Sequence, residues 1–242
     1  MTARTTVLLD WLLPVVLLVG LTIPFWTTSL DMGIEARFYS SAAGWEQGGA
    51  EPWHALKHYG VIPAWIVGIA ALVVFVSSFW NSRARTWRRP ALFLVLALAI
   101  GPGVIVNDVF KENWGRPRPL DVTELGGDRA YVEPWVKSPK EMGGSFVSGH
   151  AAMGFYLLVP YFLMRRRSRT KAVAVLMLGL GYGFLVGVAR MVQGAHFASD
   201  VLWAFGFTYL TALALFYAMG LHRASSAADQ ARAPAAGRAP SP

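Results

Sequence analysis

Lys111 and Arg118 stand seven residues apart in Lys111-Glu112-Asn113-Trp114-Gly115-Arg116-Pro117-Arg118-Pro119, directly after a long apolar run. Further along come Ser148-Gly149-His150, and then Arg190, His196 and Asp200 at spacings of six and four. Together they make three fixed cations, two imidazoles and one carboxylate, each beside a hydrophobic segment. That set can hold a phosphate group, attack it and protonate its leaving group. Arginine offers a planar fork to phosphate oxygens and lysine a compact point charge, so Lys111, Arg118 and Arg190 are the expected phosphate ligands. Seven residues make two helical turns, which would put Lys111 and Arg118 on one face, but Pro117 and Pro119 argue against a continuous helix.

Ser148 and Gly149 precede a hydrophobic block. The first N–H groups of a helix lack intrahelical partners and attract anions, and glycine lets the backbone come close. His196 and Asp200 open another block four residues apart, a spacing that brings them to one helix face. The carboxylate is expected to keep one ring nitrogen protonated and leave the other as a nucleophile. His150 is then the general acid. The expected course is attack by His196, a phosphohistidine intermediate, and hydrolysis by a water that His150 activates. Each piece alone has a plainer reading: a membrane-edge cation, a helix cap, a structural His–Asp pair. Ionisable groups beside membrane segments are functional candidates by default, and their convergence on one face favours chemistry.

The elements that position them are apolar helices. The chain has 242 residues, is 55% hydrophobic and only 15% charged, with mean hydropathy +0.41. Six apolar blocks near bilayer-spanning length, about 20 residues, fall at 7–29, 61–80, 91–110, 147–164, 172–189 and 198–220. The expected architecture is all-α, a polytopic membrane protein with six transmembrane helices over 1–220 and a disordered tail over 221–242. The first block reads as a retained helix rather than a cleaved signal, because Asp10 and Pro14 interrupt its start and no small-x-small site follows. Cysteine is absent, which removes disulfides, thiolate nucleophiles and cysteine-ligated metals.

The net charge of +8 does not point to nucleic acid, because its arginines are segregated. Arg83, Arg85, Arg88 and Arg89 fill the second connection, and Arg165, Arg166, Arg167, Arg169 and Lys171 the fourth. By the positive-inside rule both termini are cytoplasmic and the odd-numbered connections are outside. That topology, set without the motifs, puts all of them on the outer side. The first outer connection, 30–60, reads as an interfacial helix. Its His54 and His58 share helical spacing but have no evident further ligand, so no metal centre is expected. The second, 111–146, has the length of a lid or binding loop, with Tyr131 and Trp135 as either ligand contacts or side chains dipping into the membrane interface.

These residues resemble the type 2 phosphatidic acid phosphatase superfamily, the lipid phosphate phosphatases. Its signature is Lys-x6-Arg-Pro, Pro-Ser-Gly-His and Ser-Arg-x5-His-x3-Asp. Here it runs from Lys111 to Arg118-Pro119, through Ser148-Gly149-His150, to Arg190, His196 and Asp200. Spacing selects Arg118 over Arg116, while Val147 and Ala189 replace the usual proline and serine. The resemblance implies a metal-independent membrane lipid phosphatase without cofactor, using a histidine nucleophile on a phosphate monoester or diphosphate headgroup. It also implies a bacterial cytoplasmic membrane, with the site facing the periplasm. The rival readings are a lipid-to-lipid phosphotransferase with the same site and, in another class, an anion-binding channel or transporter. A transporter should carry polar residues at the midplane of broken or paired helices, whereas here charge gathers at one surface.

Overall fold

In the computed structural model, residues 3–223 are described, so the tail expected at 221–242 lies almost wholly outside the described residues. The helices are α1 (Ala3–Thr27), α2 (Leu30–Glu35), α3 (Trp53–Tyr59), α4 (Ile62–Ser77), α5 (Ser82–Arg85), α6 (Arg88–Leu98), α7 (Gly149–Tyr156), α8 (Pro160–Met164), α9 (Arg169–Val192) and α10 (Ala198–Ala218). Among the described residues there is no named strand, only two isolated bridges that pin loops.

Five helical stretches are long and apolar enough to cross a membrane: Val7–Thr27, Trp53–Ser77, Arg88–Lys111, Arg169–Val192 and Ala198–Ala218. The block expected at 147–164 is shorter, Gly149–Met164. At 1.5 Å per residue it reaches about 24 Å, less than the roughly 30 Å hydrocarbon thickness. It is also broken: α7 ends at Tyr156 and α8 restarts at Pro160, whose ring suits a first helical position but has no N–H to continue a helix.

The long helices turn large apolar side chains outward. Leu178 is 73% exposed, Ile66 62% and Phe184 61%. A continuous apolar exterior of this kind is what lipid, not water, would cover. Inside, helices approach through small residues. A Cβ on Gly183 would stand 2.2 Å from Phe155 Cδ1, and one on Gly179 2.3 Å from the Leu158 backbone nitrogen. Glycine at these positions lets α9 lie against α7, the packing mode of membrane helices. At the end away from the motifs, Asp10 of α1 takes hydrogen bonds from Arg165 Nη2 at 2.6 Å and Tyr217 OH at 2.5 Å, tying α1, α8 and α10 together.

Beyond α6 the helix winds as a π-helix over Ala99–Lys111, around Gly101-Pro102-Gly103. Pro102 has no N–H for the ordinary ladder, and Asn107 Nδ2 donates to the Pro102 carbonyl at 2.7 Å. Helix ends at Lys111, so the two-turn continuation to Arg118 does not form. The loop beyond is ordered by its own backbone. Ser138 N–H donates to Trp114 O at 2.9 Å, Ser145 N–H to Arg116 O at 3.0 Å, and Leu120 N–H to Gly194 O at 3.0 Å. Gly115, at φ 75°, permits the close turn, since a Cβ there would meet Pro139 O at 2.2 Å. The connection at 30–60 forms the short helices α2 and α3, and α3 belongs to the apolar stretch Trp53–Ser77.

Candidate active site

Four segment ends supply the site: the close of the π-helix, the start of α7, the end of α9 and the start of α10. Lys111 is the last π-helical residue, and Arg118 precedes the short 3-10 turn Pro119–Asp121. Ser148 is the N-cap of α7, its hydroxyl accepting from Ala151 N–H at 3.4 Å. Gly149 is the first helical residue, with Asn107 Oδ1 only 2.7 Å from where a Cβ would stand, so no side chain fits there without moving the asparagine. His150 follows in the first turn of α7 and is half-buried. Arg190 lies in the last turn of α9, and Asp200 in the first turn of α10.

Lys111, Arg118 and Arg190 act electrostatically on one another and on His196, and Lys111 and Arg190 on His150. All five residues therefore gather in one place. None of the three cations forms an ion pair with a carboxylate among the described residues. Arg190 is 9% exposed, donates to Gln193 Oε1, and has a buried Nε–H without an acceptor. A buried donor left unsatisfied costs free energy, and a phosphate oxygen would satisfy it. Gln193 is held in turn, donating from Nε2 to Trp53 O at 2.8 Å and Gly48 O at 3.3 Å.

His196 is 3% exposed, and its Nδ1 lies 2.7 Å from the Ser145 carbonyl oxygen. A carbonyl can only accept, so Nδ1 carries the proton and Nε2 keeps the lone pair. The expected direct His196–Asp200 bond is replaced by this one, because Asp200 Oδ2 stands 3.9 Å from Nδ1. Asp200 instead accepts from Ser145 Oγ at 2.5 Å and from Phe197 N–H at 2.8 Å, both beside the histidine. Burial, then Arg190, with smaller contributions from Arg118 and Lys111, hold the His196 pKa well below its ordinary value. The ring is neutral near pH 7, as a nucleophile must be. The arrangement can bind a phosphate among three cations and present a neutral imidazole to it, with a second imidazole, His150, within reach of the same cations.

Several neighbours carry no sequence signature. Arg116 is fully buried, and all five of its N–H donors are used. Nε donates to Val132 O at 2.8 Å, Nη1 to Ser199 Oγ at 2.8 Å and Asp200 Oδ1 at 2.5 Å, and Nη2 to Asp31 Oδ2 at 2.9 Å and Tyr131 OH at 3.2 Å. Nothing remains for phosphate, which agrees with the spacing that favours Arg118. Tyr131 thus belongs to this buried cluster, and Trp135 packs edge-on against Phe110, Trp114 and Trp203. His54 and His58 stack at 4.5 Å between ring centroids, with Glu51 beside His54 at 3.4 Å. Among the described residues no group of three His, Cys, Asp or Glu is placed to hold a metal ion.

Residues 90–224 match the PAP2 superfamily. The chain is 33% identical over 194 residues to a lipid A 4'-phosphatase of Francisella tularensis subsp. novicida, covering 79% of this chain and 86% of that protein. It is 34% identical over 124 residues to a lipid A 4'-phosphatase of Rhizobium etli, covering 51% of this chain and 46% of that protein. A third, from Rhizobium leguminosarum, is 36% identical over 123 residues, half of each chain. No solved structure matches.

Proposed function

This chain belongs to the PAP2 superfamily, and from that premise we propose that it removes a phosphate group from a lipid headgroup through a phosphohistidine on His196. The observation that carries the reading is the trio Lys111, Arg118 and Arg190, unpaired with any carboxylate among the described residues, around a neutral His196 whose Nδ1 is held by a carbonyl. Three uncompensated cations in a half-buried place are costly unless an anion belongs there. A phosphate group supplies it.

In the proposed course the phosphate lies among Lys111, Arg118 and Arg190, with the N-terminal amides of α7 at Ser148-Gly149 facing its oxygens. His196 Nε2 attacks phosphorus, and the lipid alkoxide leaves with a proton from His150. The Nδ1–H bond to Ser145 O and the charge of Asp200 two bonds away stabilise the positive ring that forms. Water, deprotonated by His150, then attacks the phosphohistidine and regenerates the enzyme. The charge that a metal ion would neutralise elsewhere is neutralised here by protein cations, so the reaction proceeds without one.

The substrate suggested by the names of the relatives is the 4'-phosphate of lipid A. We place the protein in a bacterial cytoplasmic membrane, with Gly149–Met164 as a sixth, short span, both termini inside and the site outside. The arginine segregation supports that orientation. The test is purified protein in detergent offered lipid A, phosphatidic acid, phosphatidylglycerol phosphate and undecaprenyl diphosphate, with free phosphate measured. Release from lipid A well above the others is the expected result. No release from any of the four would reject the reading.

A further inference from the structure

Asp31 lies on α2, outside the stretch that matches the superfamily, and sits 85 residues from the arginine it binds. We propose that Asp31 and Arg116 are positioning residues for the reaction: with Asp200 they form a buried carboxylate–guanidinium–carboxylate row that fixes Asp200 and, through Ser145, the ring of His196. The inference rests on the phosphohistidine reading of the site above.

The row is continuous. Asp31 Oδ2 meets Arg116 Nη2 at 2.9 Å, Arg116 Nη1 meets Asp200 Oδ1 at 2.5 Å, and all three side chains are 0% exposed. The other oxygen of Asp200 accepts from Ser145 Oγ at 2.5 Å, and the carbonyl of that same Ser145 accepts from His196 Nδ1 at 2.7 Å. Ser199 braces the row sideways, its N–H donating to Asp31 Oδ1 at 3.0 Å and its hydroxyl to Asp31 Oδ2 at 2.5 Å. The guanidinium lies over the Phe197 ring at 4.4 Å. Lysine cannot copy this, having three donors at one point in place of a planar fork of five.

The charge count also matters. Two carboxylates in contact in a buried place do not both ionise unless a cation stands between them. Arg116 is that cation. One helical turn from Asp31, Glu35 is 0% exposed with neither carboxyl oxygen hydrogen-bonded. Burial, then Asp31 and Asp200, push its pKa up to about 10, so it remains protonated and adds no competing charge. The titratable groups around Asp200 are therefore Asp31 and Glu35 from α2, Tyr131 and Arg116 from the long loop, and His196. Lys111, Arg118 and Arg190 lie beyond the histidine.

Asp31→Asn, Arg116→Lys and Arg116→Gln test this in the full-length protein in detergent, with kcat, KM and inhibition by inorganic phosphate measured from pH 5.5 to 9. A misplacement of about 1 Å in a reacting group costs on the order of 10²-fold. Asp31→Asn and Arg116→Lys should each lose about 10–100-fold in kcat, while KM and phosphate inhibition stay near wild type because the phosphate cations are untouched. Arg116→Gln should add an acidic limb: without the guanidinium beside it Asp200 takes a proton more readily, so kcat rises with pH where wild type is flat. Should Arg116→Gln fail to fold, the nearly isosteric Asp31→Asn decides. Equal loss of kcat and of phosphate inhibition would mean general damage and overturn the proposal. Wild-type kcat in Asp31→Asn and Arg116→Lys, alongside an inactive His196→Ala, would overturn this proposal alone. A fully active His196→Ala would overturn the parent reading and this one with it.

Discussion

Removing Arg190 should cost activity without costing stability. The side chain is 9% exposed, is ion-paired with no carboxylate among the described residues, and has one buried N–H without an acceptor there. Arg118 and Lys111 act on Arg190 as like charges, and at an effective dielectric near 20 such a pair repels by roughly 2–3 kcal/mol over separations of about 5–10 Å. Arg190→Met relieves that repulsion and the burial of a charge. It gives up the bond to Gln193, about 1–2 kcal/mol. In phosphate-free detergent the variant should therefore melt within a few degrees of wild type, where most buried large side chains would lose far more on substitution. Catalysis loses one or two charge-assisted phosphate contacts, about 3–4 kcal/mol, or 10²–10³-fold in kcat/KM. Ligand linkage sharpens the contrast. Inorganic phosphate at 100 times its wild-type Kd adds about 2.7 kcal/mol to wild type, but only about 0.4 kcal/mol to a variant whose Kd has risen 100-fold. The assay is thermal unfolding with and without phosphate, paired with phosphate release from the lipid. A large fall in Tm without phosphate, together with undiminished stabilisation by phosphate, would refute the reasoning.

His150→Ala should lose about 10²–10⁴-fold on a lipid phosphate, whose alkoxide needs a proton, yet far less in the first turnover of nitrophenyl phosphate. Equal losses on both substrates would reject its role as general acid. Because burial and the three cations depress the His196 pKa, kcat/KM should hold its value as pH falls through 6.5, where an ordinary histidine would be half protonated. An acid limb centred at 6.5 or above in the pH profile would count against a neutral His196 nucleophile. Activity should survive excess chelator, and vanadate should inhibit; loss on chelation with recovery on added magnesium would contradict a metal-free reaction. A cysteine at Gly127 should react with an impermeant thiol reagent from outside intact cells and one at Ser168 should not, and the reverse pattern would invert the orientation.

The grouping of Lys111, Arg118 and Arg190 was legible because their spacing is fixed. Lys111 to Arg118 and Arg190 to His196 to Asp200 keep fixed intervals whatever backbone joins them, and Lys111, Arg118, Arg190, His150 and His196 lie close enough to act on one another electrostatically. The join itself was not legible. Pro102 between two glycines breaks the ordinary ladder, the π-helix stops at Lys111, and a loop rather than two helical turns reaches Arg118. The acceptor for His196 Nδ1 is a backbone carbonyl, which no residue type announces. Asp31 could not be paired with Arg116 from a single sequence, because the bond spans 85 residues and neither helical period nor motif links them. Among the apolar blocks, length alone read five of them correctly as membrane-scale helices. The block at 147–164 counted the Val147-Ser148 approach residues and the Leu157–Val159 turn as helix, and so promised more length than α7 and α8 deliver.

The central claim is a covalent phosphate on His196, and the direct measurement is to trap it. Protein mixed with radiolabelled lipid phosphate and quenched in alkali within milliseconds should carry label that is stable to base and labile to acid. Peptide mapping should place it on His196, with none in His196→Ala and, when labelled nitrophenyl phosphate replaces the lipid, more in His150→Ala, where only hydrolysis is slowed. Turnover of the lipid with no label on His196 in either wild type or His150→Ala would contradict the account.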